Sequence, residues 1–458
     1  MKKKAESCAS VITKSSETIV VSHIDADGLT SAAIMCSALE RAGIDCKVRF
    51  LKQLNTTALE EISNDGHELV IFTDLGSGML SSISALGMNA VVIDHHQPAG
   101  TFENHINPHL FGINGAYEAS GSCMAYMVAQ ALGDNRDLAD IAIVGAVGDL
   151  QHLKHGRLTG ANKDVLEQGV SGGVLHYGKD LLLFGRQTRP VFKLLQYATD
   201  PYLPGLTGSE DACIDFLRKV GIHLHGERWR RWIDMELPEK QRVVSALFSH
   251  CIGTGMPAQK IQRLVGEAYT LLREREGTEL RDASEYATLL NATARYDFSD
   301  TGLAVCMGDR DAAFKQACNL LNDHRKNLVE GLNLVREKGV TRLANLQYFD
   351  AGSRIRETIV GIVAGMYSSI SMNRDLPIIA FADADGGAKV SARGTHDLVV
   401  CGLNLGAAIS EAAKAVGGTG GGHDIAAGGF IPYSRKEEFL SRLDSAIGSQ
   451  LGHHSSSM

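Results

Sequence analysis

Three short apolar runs within the first hundred or so residues each end on acidic or histidine side chains. Thr18–Ser22 (TIVVS) leads into His23-Ile24-Asp25-Ala26-Asp27-Gly28, Glu68–Phe72 (ELVIF) into Thr73-Asp74, and Ala90–Ile93 (AVVI) into Asp94-His95-His96. A fourth acidic position, Asp149 in Gly148-Asp149, follows the apolar stretch Ile141–Val147. β-Rich runs of this length, alternating with stretches of helical periodicity, predict a mainly parallel sheet covered on both faces. Such strands deliver their C-terminal ends to one edge of the sheet, where ligand sites form. Carboxylates and imidazoles far apart in the chain are therefore expected to converge.

The residue types at that edge specify a chemistry. His23, Asp25 and Asp27 alternate, and in an extended segment residues two apart face the same side. Gly28 lets the backbone turn away at once, and Thr30 or Ser31 is placed to cap the next helix. Asp74 ends a hydrophobic strand, where an unpaired carboxylate is costly and a cation is the natural partner. Asp94-His95-His96 adds an acceptor and two rings, and Asp149 closes an apolar helix. Each cluster alone reads as a turn or cap; all four in order, each after a core-like element, point to a metal site. Mixed imidazole and carboxylate donors suit Mn²⁺, with Mg²⁺, Co²⁺ or Zn²⁺ as substitutes. Two such ions activate a water and hold the attacking and leaving oxygens of phosphoryl transfer. The sequence contains no GxxxxGK[ST], which excludes a P-loop nucleotide hydrolase.

A second chemical feature lies near the C-terminus, in Gly417-Gly418-Thr419-Gly420-Gly421-Gly422-His423-Asp424. Consecutive glycines let backbone N–H groups curl around an anion, and His423 adds a donor. Val390-Ser391-Ala392-Arg393 ends a strand with a guanidinium suited to bidentate phosphate binding. Together they read as a substrate-phosphate clamp facing the metals.

The net charge of −8 argues against a generally basic nucleic-acid binder, although metals and a local basic groove can still neutralise phosphates. Nine scattered cysteines without a CxxC pair read as reduced thiols. No apolar core follows the basic N-terminal residues and no run reaches membrane-spanning length, so a cytoplasmic protein without membrane contact is expected. The organisation reads as an α/β domain over 1–175, a mainly helical insertion over 176–300, a smaller α/β domain over 301–450, and a flexible tail at 451–458. Within the insertion, Pro238–Cys251 and Pro257–Arg275 have amphipathic periodicity. Arg228-Trp229-Arg230-Arg231-Trp232 reads as an amphipathic helix with both tryptophans in the core, the competing reading being contact with a nucleic-acid strand by charge and stacking.

These residues resemble the motifs of the DHH phosphoesterase family. Motif I is similar to His23–Gly28, motif II to Asp74, the namesake motif to Asp94-His95-His96, and motif IV to Asp149. The family's associated C-terminal domain is similar to the last part of the chain, with GGGH at Gly420–His423 and Ser-x-Arg at Ser391–Arg393. The resemblance implies a parallel-sheet DHH domain, a helical insertion and a smaller C-terminal α/β domain, with the active site in the cleft between. Within the family the chain is most similar to archaeal RecJ-like nucleases of the GINS-associated type, on Glu285–Asn291 (EYATLLN), Gly352–Gly365 (GSRIRETIVGIVAG) and GGTGGGHDIAAGGFIP.

That resemblance implies a single-strand exonuclease of replication or repair, releasing mononucleotides from DNA or RNA with two Mn²⁺ or Mg²⁺ ions. It implies that His23, Asp25 and Asp74 hold one ion, and Asp27, Asp74, His95 and Asp149 the other, with Asp74 bridging. Asp94 would orient the cluster and His96 would contact the scissile phosphate. Ser391, Arg393, Gly420, Gly421, Gly422 and His423 would hold a phosphate of the released nucleotide, with Arg356 and Asn291 as further substrate candidates. A GINS-like replication complex is the implied protein partner, docking on the insertion. Two alternatives stand beside this reading. One is a DHH phosphodiesterase on short oligonucleotides, phosphoadenosine phosphates or cyclic dinucleotides; the other is a scaffold resembling the eukaryotic helicase cofactor of this fold. The large insertion favours a polymer, and the complete ligand set favours an enzyme.

Overall fold

The computed structural model describes residues 1–198, 201–370 and 375–452, so residues 453–458 of the expected tail lie outside it. The chain forms two compact units, Met1–Leu321 and Asn322–Met458, divided within the helix Ala312–Lys338.

The first unit is built on five strands, β1 (Glu17–His23), β2 (Asp45–Leu51), β3 (Leu69–Thr73), β4 (Ala90–Ile93) and β5 (His105–Ile106). All neighbours are parallel, in the order β2-β1-β3-β4-β5. β3 and β4 are buried at every position, as continuous apolar runs require when helices cover both faces. Val20, Ile71, Val91 and Ile93 face the larger core, shared with the helices Lys2–Ile12, Ala26–Arg41, Gly121–Leu132 and Ala139–Gly148. Ile19, Val21, Val70 and Phe72 face the smaller one, closed by the helices Thr56–Asn64 and Leu80–Ala85. The strand order reverses between β1 and β3, and the crevice beyond such a switch is where open α/β sheets bind ligands.

The helix after β1 starts at Ala26, earlier than Thr30 or Ser31 could cap it. Asp25 is the cap, its side chain accepting from Gly28 N at 3.0 Å. Thr30 and Ser31 are buried one turn inside, where Thr30 Oγ1 donates to Ala26 O. An anionic side chain at the positive end of a helix wins over a hydroxyl further in.

Strands β6 (Leu175–Leu181) and β7 (Val265–Leu271) pair antiparallel. Between them the chain builds a separate core around Leu194, Leu217, Trp232 and Leu247. The expected amphipathic stretch at Pro257–Arg275 is not one helix: the helix Ala258–Gln262 stops and β7 takes over. Its partner lies almost ninety residues earlier, out of reach of a local pattern. The Arg-Trp cluster is not a helix either. It is irregular, with isolated bridges at Trp229 and Arg231 before the 3₁₀ turn Trp232–Asp234. Arg230 and Arg231 turn instead to Glu239 and Asp234. Only Trp232 is buried, donating to Asp180, whereas Trp229 is 38% exposed. At the base of this segment, buried Arg186 pairs with Asp282, and Gln187 N and Thr188 Oγ1 donate to Glu285.

The second unit is a six-stranded mixed sheet: β8 (Thr341–Arg342), β9 (Gln347–Asp350), β10 (Ile378–Ala384), β11 (Gly387–Arg393), β12 (Thr419–Gly422) and β13 (Ala426–Ile431). Their order is β12-β13-β11-β10-β9-β8. The expected pair around Asp385-Gly386 forms as the antiparallel hairpin β10–β11. The glycine run departs from expectation, because Gly420–Gly422 belong to an extended edge strand paired with β13 and do not curl into a loop. Close packing is the reason. A Cβ at Gly420 would lie 2.7 Å from Ile409 Cγ2, and one at Gly406 would lie 2.2 Å from Gly422 O, so the helix Leu405–Ala415 can approach β12 only over glycine.

The nine cysteines are free thiols. Among the described residues no helix is long and apolar enough to cross a membrane. Leu247 is fully buried in the core between β6 and β7. Leu247→Ala is expected to lower the unfolding free energy by ~2–4 kcal/mol, read as a lower denaturant midpoint. An unchanged midpoint would mean that this core does not form.

Candidate metal centre

The C-terminal ends of β1, β3 and β4 bring His23, Asp74 and the Asp94–His96 stretch to one edge. Asp25 and Asp27 follow at the helix cap and in its first turn, and Asp149 caps the C-terminus of the helix Ala139–Gly148. The alternation expected for His23, Asp25 and Asp27 is therefore broken, since the backbone turns helical at Ala26. The three side chains divide between two groups. His23, Asp25 and Asp74 form one, and Asp27, His95 and Asp149 the other, ligand atoms in each lying within 4.8 Å of one another. His23 Nδ1 is 3.1 Å from Asp25 Oδ2 and 3.7 Å from Asp74 Oδ2. His95 Nε2 is 3.1 Å from Asp74 Oδ1 and 3.7 Å from Asp27 Oδ2. The two oxygens of Asp74 thus address the two groups separately.

Outer partners fix these side chains. Asp94 is spent as an acceptor, taking His95 N at 2.7 Å, His96 N at 3.2 Å, His96 Nδ1 at 2.8 Å and Ser77 N at 2.8 Å. Asp27 accepts from Gly121 N at 2.7 Å and Ser122 N at 2.9 Å, at the N-terminus of the helix Gly121–Leu132. Asn291 Oδ1 accepts from Ala26 N at 3.0 Å, holding the turn between Asp25 and Asp27. Gln151 Nε2 donates to both Asp149 Oδ2 and Gly115 O at 2.8 Å, and its Oε1 accepts from Asn162 Nδ2 at 2.6 Å. Gly115, Gly121, Ser122, Gln151 and Asn162 were not singled out from the sequence. Only Gln151 carried a signal, as a polar residue two places beyond Asp149. Asp74 sits at φ 56°, a left-handed conformation that non-glycine residues hold only when their surroundings impose it. Gly121 makes room for it, since a Cβ there would lie 2.7 Å from Asp74 Oδ1.

In the second unit, Ser391 is buried and Arg393 half-buried at the end of β11. A Cβ on Gly361 would lie 2.7 Å from Arg393 Nη2 and 3.0 Å from Ser391 Oγ, so these three share one packed spot. Burial pulls the Arg393 guanidinium below its ordinary pKa, which favours an anionic partner. Arg393 pairs with Ala426, whose carbonyl accepts from His423 N at 2.8 Å. Ser391, Arg393 and exposed His423 therefore stand at one end of that sheet. Arg356 is exposed shortly before the helix Val360–Ile370.

The N-terminal domain of the DHH family matches residues 17–146, the DHH-CID domain residues 183–265, and the DHHA1 domain residues 344–449. An uncharacterized protein of Methanocaldococcus jannaschii is 31% identical over 441 residues, which are 94% of this chain and 93% of that protein. The chain belongs to the DHH family. The single-stranded-DNA-specific exonuclease RecJ of Bacillus subtilis is 28% identical over 168 residues, 33% of this chain and 21% of that enzyme. Among solved structures, the fold is similar to RecJ from Thermus thermophilus in complex with Mn²⁺, with a TM-score of 0.61 and 16% identity. That likeness covers 98% of this chain and 55% of that RecJ chain. It is also similar to CDC45 from Entamoeba histolytica, with a TM-score of 0.66 and 12% identity over 97% of both chains. The three domains and the RecJ-like fold support a DHH phosphoesterase.

The DHH cluster carries an electrostatic conflict that a cation resolves. His95 Nδ1 lies 2.7 Å from Gly115 O, which fixes the ring proton there and leaves a lone pair on Nε2 in the neutral ring. That lone pair faces buried Asp74 Oδ1, itself without a hydrogen-bond partner. Two acceptors at this distance need a proton or a metal between them. Burial, followed by the charge of Asp74, pushes Asp27 up to about 8, and burial pushes Asp149 up to about 6. Burial lowers His23, but Asp25 and Asp74 outweigh it and carry it to about 11. His95 behaves alike, raised against its burial by Asp74, Asp27 and Asp149. Protons thus occupy the place that divalent cations would take, and the donor set fits such ions.

The sign of the pH dependence follows. Asp27, Asp149, His23 and His95 each keep a proton in the folded chain at pH values where the unfolded chain has lost it. Stability of the metal-free protein therefore falls as pH rises from about 5 to about 8. Asp25 and Asp94 are held below the ordinary range, where histidine contacts outweigh burial, and their contribution is lost only in acid. The midpoint of thermal unfolding in chelator should drop across that window, and the rise given by Mn²⁺ should grow with pH. A Mn²⁺ shift independent of pH would contradict this account. Gln151→Met should weaken Mn²⁺ binding by ~10–100-fold in a calorimetric titration, the size of an outer-partner loss; unchanged affinity would remove Gln151 from the centre.

Proposed function

We propose that the chain is a two-metal phosphodiesterase that releases mononucleotides from a single strand of DNA or RNA. The observation that carries this reading is the division of Asp74, one oxygen towards His23 and the other towards His95. His23, Asp25 and Asp74 would hold one divalent cation, and Asp27, Asp74, His95 and Asp149 the second, with Mn²⁺ favoured and Mg²⁺ the alternative. Such ions, when bound, supply an activated water and positive charge for the phosphoryl oxygens.

The remaining roles belong to side chains. His96 Nδ1 donates to Asp94 Oδ1, and that hydrogen bond, with the carboxylate charge, raises the imidazole pKa. With Nδ1 engaged and the side chain 58% exposed, Nε2 is left to meet a phosphate oxygen. Asp94 positions His96, its Oδ1 accepting three hydrogen bonds and its Oδ2 one. Arg393, with Ser391 and His423, would grip a phosphate of the leaving nucleotide. Asn291 serves the reaction by holding Ala26 N, and through it the start of the ligand helix.

Likeness to single-strand-specific RecJ supports a polynucleotide substrate, and so does the insertion matching the DHH-CID domain. A scaffold role beside hydrolysis, with a GINS-like partner on the insertion, draws support from the likeness to CDC45 along 97% of both chains. The complete ligand set keeps hydrolysis first.

Asp74→Asn tests the proposal, because asparagine tolerates a positive φ and only the charge is lost. With the fold retained, Mn²⁺-dependent cleavage of an end-labelled single strand should fall by more than the ~100-fold typical of an outer-partner loss. Retained cleavage would remove Asp74 from the centre. In the wild type, a ladder of single-nucleotide steps is expected; cleavage confined to dinucleotides would move the protein to small substrates.

A further inference from the structure

Beyond Asp149 the chain does not continue its helix but forms one wall of a cavity of about 1150 Å³. Leu150 takes a left-handed backbone, φ 58°, and leaves its side chain 60% exposed. Leu153 is 48% exposed, and Lys154, His155 and Arg157 are exposed after it. Lys179 on β6 and Arg263 just before β7 stand on another wall, with Phe184 between them in the chain. Gly148 and Leu150 flank Asp149, and Asn291 holds Ala26; all three line the cavity, which therefore lies beside the metal centre.

We propose that this cavity seats the strand that continues past the scissile phosphate, with Lys154, Arg157, Lys179 and Arg263 taking successive phosphates and Leu150 and Leu153 taking bases. This rests on the phosphodiesterase reading and adds to it the path of the polymer.

Charge supports that occupant. The whole chain is at −8, yet Lys154, Arg157, Lys179 and Arg263 are exposed residues of the lining. A fifth, Arg186, is neutralised by Asp180 and Asp282. Glu267 is the opposing carboxylate; it stands across the ladder from Lys179 and accepts from Tyr269 Oη at 3.1 Å. Lys154 is held 3.3 Å over the ring of Tyr117, which presents its charge in a fixed place. Basic walls beside exposed apolar side chains suit a flexible polyanion whose bases need a surface. The cavity exceeds the ~300–1,000 Å³ of small-ligand sites, which a mononucleotide alone would fill. The insertion thereby gains a role, since it forms one wall of the path.

The test uses the full chain with Lys154, Arg157 and Lys179 all changed to Glu, compared with wild type on a thymidine single strand of about 20 nucleotides and on a thymidine dinucleotide. Circular dichroism and the Mn²⁺ thermal shift should match wild type, showing an intact fold and centre. KM for the long strand should rise about tenfold or more, with kcat/KM for the dinucleotide unchanged. The log–log salt slope for the long strand should shrink by about 0.7 for each lost phosphate contact. Equal loss on both substrates, or loss on neither, would overturn the path. Anisotropy with the labelled long strand separates this from the parent reading. A wild type that binds the strand more tightly than the variant but hydrolyses nothing keeps the path and refutes the hydrolase. Equal binding by both proteins, or no binding by wild type, refutes the path itself.

Discussion

Asp74 is a 2% exposed carboxylate at the end of a buried strand, with an imidazole of each ligand group facing one of its oxygens. In a medium of low dielectric that arrangement is stable only with positive charge in the gaps. Metal-free, burial raises Asp27 and Asp149, and the neighbouring carboxylates raise both facing histidines against their burial, so protons are held where cations would sit. Two divalent ions supply the charge better. The surrounding architecture can be understood as what is needed to keep those carboxylates close.

The parallel sheet does the first part of that work. Its order reverses between β1 and β3, so the crevice opens where His23 and Asp74 emerge. Asp25 caps one helix, and Asp27 is held by the amides that open another. Helix termini thus stabilise two of the crowded charges directly. Close approach completes the cluster. Gly121 abuts Asp74, and a Cβ at Gly145 would lie 2.5 Å from Asp27 Oδ1. Gln151 and Asn162 tie Asp149 to the carbonyl that orients His95.

The strands carrying the site were legible because a buried parallel strand is a continuous apolar run, and β3 and β4 have that form. The acidic ends of those runs were legible for the same reason, as polar residues that a core does not tolerate unpaired. The partition of His23, Asp25 and Asp27 came only from the family resemblance, not from their spacing. Alternation holds along a strand, and here a helix begins at Ala26, a choice set by the Asp25–Gly28 contact. Gly115 contributes only a carbonyl, which no side-chain pattern records. Residue type also hides conformation: Gly420–Gly422 were read as a loop, whereas they lie in β12, which a helix approaches closely over Gly420 and Gly406. In the insertion, β7 escaped notice because the β6 partner that stabilises it is distant in sequence.

The central claim is that Asp74 joins two metal sites into one centre. Electron paramagnetic resonance during a Mn²⁺ titration tests it most directly, since bridged ions are magnetically coupled and separate ions are not. Two Mn²⁺ per chain with an exchange-coupled spectrum, converted to isolated-ion signals in Asp74→Asn, is the predicted result. A single tightly bound Mn²⁺, or two ions with uncoupled spectra in the wild type, would contradict it.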